Sequence, residues 1–198
     1  MTLHRLSQQG GEPEQFAFRG GDVDDIAAVY AGHDVVFNAL GTTRGKAGGA
    51  TPFYLVDHDY VRTSAALAKH AGVPHFSLVT AQGARRGMKW YARWLHPTWY
   101  AKTKGDAELS ALAQGFARVT VWRPGLLNRA NADLGGKHDR AGEKWANRLL
   151  GGLKVGTLAR AMLGDALRRG GSAGGAVVDG NGAVTAAAAA PVEGGAKL

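Results

Sequence analysis

The chain has 198 residues, 45% of them hydrophobic and 20% charged, a balance that fits one soluble globular domain long enough to bury a core. Lys and Arg number 24 against 16 Asp and Glu, a formal charge of +8. With a sequence pI near 10.0, that favours an anionic partner (phosphorylated cofactor, nucleic acid or acidic membrane) without choosing among them. The lack of cysteine excludes disulfides, thiolate catalysis and cysteine-ligated metals, and no run approaches the roughly 20 apolar residues of a membrane span.

The opening MTLHRLSQQGGEPEQ has no apolar signal core, and the expected location is cytoplasmic. FAFRGGD places a short strand at Phe16 to Phe18, and VDDIAAVYAG a short helix after it. HDVVFNAL, His33 to Leu40, is a buried strand by its length and its flanking Gly32 and Gly41. Next comes LGTTRGKAGG, a loop close to the dinucleotide and P-loop phosphate patterns that matches neither: Gly41, Gly45 and Gly48 are spaced by four and three, and Ala47 stands where the P-loop hydroxyl should be. DYVRTSAALAKHAG reads as a helix with Val61, Ala65, Leu67 and Ala68 on one face and Gly72 as its stop. HFSLVT, His75 to Thr80, is the next strand. PTWYAKTKGDAELSALA is a helix with Leu109, Leu112 and Ala113 as its apolar side, and RVTVWRPG, Arg118 to Gly125, is a third strand with a Pro-Gly stop. GEKWANRLLGG and VGTLARAMLGDALRR give two further helices, and AVVDGNGAV adds an edge strand within residues 171–184. Residues 185–198 are too poor in large apolar side chains to pack and read as a disordered tail.

Strands alternating with helices over short connections imply a doubly wound α/β domain spanning residues 1–170, with ligands bound beyond the carboxyl ends of its strands. Three loops converge on that rim: those after Leu40, after Thr80 and after Arg123. In WYAKTK, Tyr100 and Lys104 stand four apart, so both project from one helix face. An ammonium beside a phenol stabilises the phenolate and makes it a usable acid-base group, while a strand-end hydroxyl such as Thr80 can orient a carbonyl. The seven histidines are scattered with no H-x-x-x-H pair, so no metal site is expected.

The stretches GHDVVFNALGTTRGKAGG, VDHDYVRTSAALAKHAGVPHFSLVTAQGA, YAKTKGDAE, VWRPGLL and VGTLARAML, in that order, resemble the atypical short-chain dehydrogenase/reductases. Within them the chain is similar to the Tat-interactive oxidoreductase family of animals, which has fungal relatives at the mitochondrial outer membrane. The resemblance implies a Rossmann-like domain that binds NADP(H) or NAD(H) and acts on a small carbonyl or alcohol. By position, Tyr100 would be the acid-base group, Lys104 its partner and a contact of the nicotinamide ribose, and Thr80 the carbonyl-orienting hydroxyl. Asp22 would meet the adenine, Gly41 and Thr42 would lie along the cofactor, and Pro124 and Gly125 would border the nicotinamide.

Relatives often carry Ser-Ser where this chain has Thr80-Ala81. Ahead of Asp22 no strand, G-x-x-G-x-x-G and helix appear; MTLHR instead looks like the family's second strand, with Arg5 placed to pair with a 2′-phosphate. The sheet is therefore expected to lack its first strand and helix, and cofactor affinity to suffer. The bland alternatives stay open: Asp22 as a helix cap, Tyr100 as a packing aromatic, Lys104 as a solvated helix residue, Arg44 and Lys46 as surface charge. So do two rivals. The first is a non-catalytic reductase scaffold. The second is a docking surface in ARRGMKWYARWLHPTWYAK; that stretch reads first as a lid or substrate-pocket wall, next as a peripheral contact with an anionic membrane, including the mitochondrial outer surface, and last as a nucleic-acid surface.

Overall fold

The computed structural model describes residues 26–88, 96–128, 152–168 and 174–192. The expected strands at Met1 to Arg5 and Phe16 to Phe18, the GEKWANRLLGG helix, and the residues Arg5 and Asp22 lie outside these. Among the described residues, four parallel strands form one sheet in the order β1 (Val35–Asn38), β2 (His75–Val79), β3 (Arg118–Arg123), β6 (Gly174–Asp179). A two-residue parallel pair, β4 (Leu127–Asn128) with β5 (Leu153–Lys154), leads the chain from β3 to the next helix.

Each crossover is helical. Between β1 and β2 run α1 (Arg44–Ala47), α2 (Ala50–Tyr54), a π-helical turn (Leu55–Asp59) and α3 (Tyr60–His70). The long α4 (His96–Ala113) joins β2 to β3, α5 (Val155–Leu167) leads to β6, and α6 (Gly180–Ala189) follows β6. Apolar side chains of β2 and β3 on one face, among them Phe76, Leu78, Val119 and Val121, pack on Val61, Ala65 and Ala68 of α3 and Ala107 and Ala111 of α4. On the other face Trp122 packs with Leu158, Ala161 and Met162 of α5 and Val184 of α6. A sheet covered on both sides needs apolar residues at successive strand positions, which is why these strands read as short continuous apolar runs.

Three expectations are corrected. The segment before α3, read as loop through Gly49, is helical from Arg44 onward: Thr43 caps α1 by accepting the Lys46 N–H, and Gly48 closes it at φ +81°. The residues from Thr185 do not begin a disordered tail, since Thr185 to Ala189 belong to α6. An alanine run has the highest helix propensity, and Val184, fully buried, anchors this one to the sheet. The buried side of α4 is also not the leucine side. Leu109 is 41% exposed, whereas Thr103, Lys104, Ala107, Glu108 and Ala111 face inward. Charged groups can occupy that face because each has a partner across it, as the site shows.

At the amino ends of the strands, opposite the candidate site, a buried polar cluster ties α5 to the sheet. Thr120 Oγ1 donates to Asp165 Oδ2 at 2.8 Å and lies 3.0 Å from His75 Nε2; Arg118 also binds Asp165, and Arg168 stands 3.9 Å from it. Burial, reinforced by the Arg118 charge and opposed by Asp165, lowers the His75 pKa from its ordinary 6.5. The unfolded chain therefore takes up the proton first as pH falls. Stability from neutral His75 is complete above about pH 6.5 and is lost as pH drops through the lowered folded value. Denaturant melts across that window should show the loss in the wild type, and His75→Gln should remove it.

Candidate functional site

The carboxyl ends of β1, β2 and β3 and the first turns of α4 meet at one rim. Gly41 and Thr42 leave β1 and pass directly over Lys104: a Cβ on Gly41 would come within 3.3 Å of both Lys104 Nζ and Asp57 Oδ1. Lys104 Nζ is 2.6 Å from Asp57 Oδ1, and the Thr42 N–H donates to Asp57 Oδ2 at 2.8 Å. One helical turn before Lys104, the Tyr100 ring stacks on Phe53 of α2 at 5.8 Å between centroids. Gly41, Thr42, Tyr100 and Lys104, all picked out from sequence, thus share one neighbourhood.

Thr80 belongs to a second centre built on Glu108, two turns beyond Tyr100. This fully buried carboxylate accepts from Thr80 Oγ1 at 2.8 Å and Arg86 Nε at 2.7 Å, and from Arg123 Nε and Nη2 at 2.8 and 2.6 Å. Burial opposes its charge, but hydrogen bonds from Arg123, Thr80 and Arg86 outweigh that and hold the carboxyl below its ordinary range. The same contact with Glu108 raises the Arg123 guanidinium, which also reaches Asp179 at 3.2 Å. One glutamate on α4 therefore fastens the ends of β2, β3 and β6. A hydroxyl orients a carbonyl by giving it a proton, and the Thr80 proton is directed at Glu108. Pro124 is buried too, its carbonyl accepting the Gln82 N–H at 2.8 Å, while the Gly125 N–H donates to Asn181 Oδ1 at 2.9 Å.

Close approach depends on Gly105, next to Lys104. A methyl there would stand 2.1 Å from the Arg85 carbonyl oxygen, and the Arg85 N–H in turn donates to the Ala101 carbonyl at 2.9 Å. On the other side of the rim, a cleft of about 640 Å³ opens between the start of α5 and α6, bordered by Lys154, Thr157, Asn181 and Thr185.

A second tyrosine lies close by and differs in kind. Tyr54 donates to Asp106 at 3.3 Å, and burial followed by the charges of Asp106 and Asp59 pushes its pKa well above the ordinary range. Such a phenol stays protonated at neutral pH. Ser110, His58 and Asp59 also form a string, with Ser110 Oγ 3.0 Å from His58 Nε2 and His58 Nδ1 2.8 Å from Asp59. It has the connectivity of a nucleophile relay, but Ser110 lies in the last turn of α4, where the N–H groups are committed to the helix ladder and none is left for an oxyanion.

Asp57, Glu108, Arg123 and Asn181 were not picked out from sequence, and Arg86 was read as part of the basic docking stretch, whereas its Nε donates to Glu108 at 2.7 Å. Glu108 had a signal, since Tyr100, Lys104 and Glu108 continue a four-residue spacing along one helix face. Asp57 had none, because its inward aim comes from the π turn.

A glycine turn at a strand's carboxyl end, laid over a Tyr-x-x-x-Lys helix in a parallel sheet covered on both faces, defines a dinucleotide-binding α/β protein. The chain belongs to the NAD(P)H-binding family, whose model matches residues 7–168. Among its relatives are Protein HTATIP2 of Rattus norvegicus, 37% identical over 71% of this chain and 57% of the relative, and Protein FMP52, mitochondrial, of Eremothecium gossypii, 41% identical over 50% and 41%. The chain thus spans roughly half the length of these relatives. Among solved structures, the fold matches DesIV, a dTDP-glucose 4,6-dehydratase of Streptomyces venezuelae with NAD bound, at a TM-score of 0.57 and 20% identity, covering 81% of this chain and 56% of that one. It also matches MoeE5 with UDP-glucuronic acid and NAD at 0.58 and 17%, covering 80% and 60%. The fungal relatives are named mitochondrial, which overturns the cytoplasmic expectation. Among the described residues no helix is long and apolar enough to cross a membrane.

Proposed function

We propose that the chain is an NAD(P)(H)-dependent oxidoreductase that interconverts a small carbonyl and its alcohol, with Tyr100 as the acid-base group. The observation that supports this reading is Lys104: buried beneath the Gly41-Thr42 backbone and one helical turn from Tyr100, it brings an ammonium to the rim where the proposed phenol and cofactor ribose would meet. The donor set fits the nicotinamide-ribose half of a dinucleotide, since an ammonium beside a bare glycine backbone suits vicinal hydroxyls. Arg5 and Asp22, assigned to the 2′-phosphate and adenine, belong to the same proposal, as does NADP over NAD, which rests on Arg5.

The bound cofactor supplies or accepts the hydride. Tyr100 gives its phenolic proton to the substrate oxygen in reduction and takes it back in oxidation. The Lys104 ammonium stabilises the phenolate left behind. Thr80, its proton held by Glu108, positions the β2 end against α4 rather than binding the carbonyl.

The same Thr80 geometry, with Ala81 lacking a hydroxyl, favours one rival: a non-catalytic scaffold that keeps the nucleotide fold. For either reading the location put forward is mitochondrial, following the fungal relatives, with contact to an anionic membrane surface as a further proposal. Thermal unfolding of the full chain with NADPH or NADH separates the two. An enzyme should melt higher with millimolar NADPH than without, and more so than with NADH. No rise with either nucleotide would leave the scaffold reading.

A further inference from the structure

The buried Asp57 carboxylate does two things at once. Oδ2 accepts the Thr42 N–H at 2.8 Å, and Oδ1 faces the Lys104 ammonium at 2.6 Å with no other hydrogen-bond partner. Its side chain is 0% exposed and that of Lys104 is 7% exposed. Removing such a pair from water costs several kcal/mol, and a well-packed apolar pair is often as stable, so stability alone is a poor reason for it.

Its placement depends on a local irregularity. Leu55–Asp59 is a π turn inserted between α2 and α3, and within it the consecutive residues Asp57 and His58 are both buried. Successive residues of an α-helix diverge by about 100°, from 3.6 residues per turn. The wider π turn reduces that angle, so Asp57 faces Thr42 and Lys104 while His58 faces Ser110. Single π turns of this sort occur frequently at functional sites.

We infer that Asp57 is a positioning residue: it joins the Gly41-Thr42 turn of β1 to Lys104 of α4, and so fixes where the ammonium stands for the nicotinamide ribose. This rests on the oxidoreductase reading above. The carboxylate touches neither substrate nor cofactor. It removes the freedom of a four-carbon side chain that would otherwise have to be ordered on binding, and keeps the strand-end turn at contact distance from it.

The test is a double-mutant cycle on the full 198-residue chain, with NADPH affinity read from nicotinamide fluorescence and folding from circular dichroism. Asp57→Asn keeps an acceptor for the Thr42 N–H and deletes the charge that holds Lys104. It should weaken NADPH binding about tenfold, as should Lys104→Met, and the double variant should be no weaker than Lys104→Met alone. Additive losses, or an Asp57→Asn variant that folds and binds NADPH like the wild type, overturn the proposal. Should Asp57→Asn fail to fold, Asp57→Glu carries the test: it keeps the pair but displaces the ammonium, and unchanged NADPH affinity there overturns the proposal equally. A wild-type chain that binds no nicotinamide nucleotide overturns the functional reading and this inference with it, whereas normal wild-type binding with an indifferent Asp57 overturns the inference alone.

Discussion

Tyr100→Phe should lower carbonyl turnover by about 10²- to 10⁴-fold while leaving NADPH affinity close to that of the wild type. The expected split follows from what each part of the side chain does. The ring stacks on Phe53 at 5.8 Å, and a phenylalanine ring can do the same, so the entrance of α4 keeps its packing. Only the hydroxyl is lost, and with it the proton that must reach the substrate oxygen. Tyr54 cannot replace it, because burial and two carboxylates hold its proton where Tyr100 has an ammonium one turn away. Loss of nicotinamide absorbance with a panel of small aldehydes and ketones measures the effect. A variant that keeps wild-type turnover would remove Tyr100 from the chemistry, and equal loss of NADPH affinity would make it a packing residue.

The sequence made the central strands plain, because a strand buried on both faces must be written as a short apolar run such as HFSLV or RVTVW. Helix α3 was equally readable: its predicted face of Val61, Ala65, Leu67 and Ala68 is the buried one. The same rule failed on α4 for a physical reason. Hydrophobic periodicity assumes that the inward face is apolar, whereas α4 turns Lys104 and Glu108 inward and leaves Leu109 exposed. Those two charges are tolerable only because Asp57, Arg86 and Arg123 arrive from distant parts of the chain, and no local pattern records that arrival. Thr80 teaches a related lesson. A hydroxyl at a strand end is visible in sequence, but the group that takes its proton is 28 residues away on another element. Helix α6 is hidden from a reading by hydrophobicity because its alanines combine high helix propensity with little apolar surface, and Val184 with Ala187 and Ala188 is enough to dock it.

The failure of apolar periodicity on α4 leads to the largest stability effect expected in this protein. Glu108→Ala strips a fully buried carboxylate from two guanidiniums and a threonine, and breaking a buried pair on one side costs about 3–5 kcal/mol. The lower end applies. The Arg86 side chain is 31% exposed and can regain water, and Arg123 keeps Asp179 at 3.2 Å. A loss of about 3 kcal/mol in a chain of this size lowers the melting temperature by roughly 6–12 °C. The effect should also carry a pH signature. The Glu108 carboxyl is held below its ordinary 4.5, so its contribution is complete above about that pH and is lost as pH falls through the lowered folded value. Wild type and Glu108→Ala should therefore differ most at neutral pH and converge in acid. Parallel melting curves across that range would mean that Glu108 acts through packing alone. Convergence would identify its charge as what fastens the ends of β2 and β3 to α4, with β6 joined through Arg123 and Asp179.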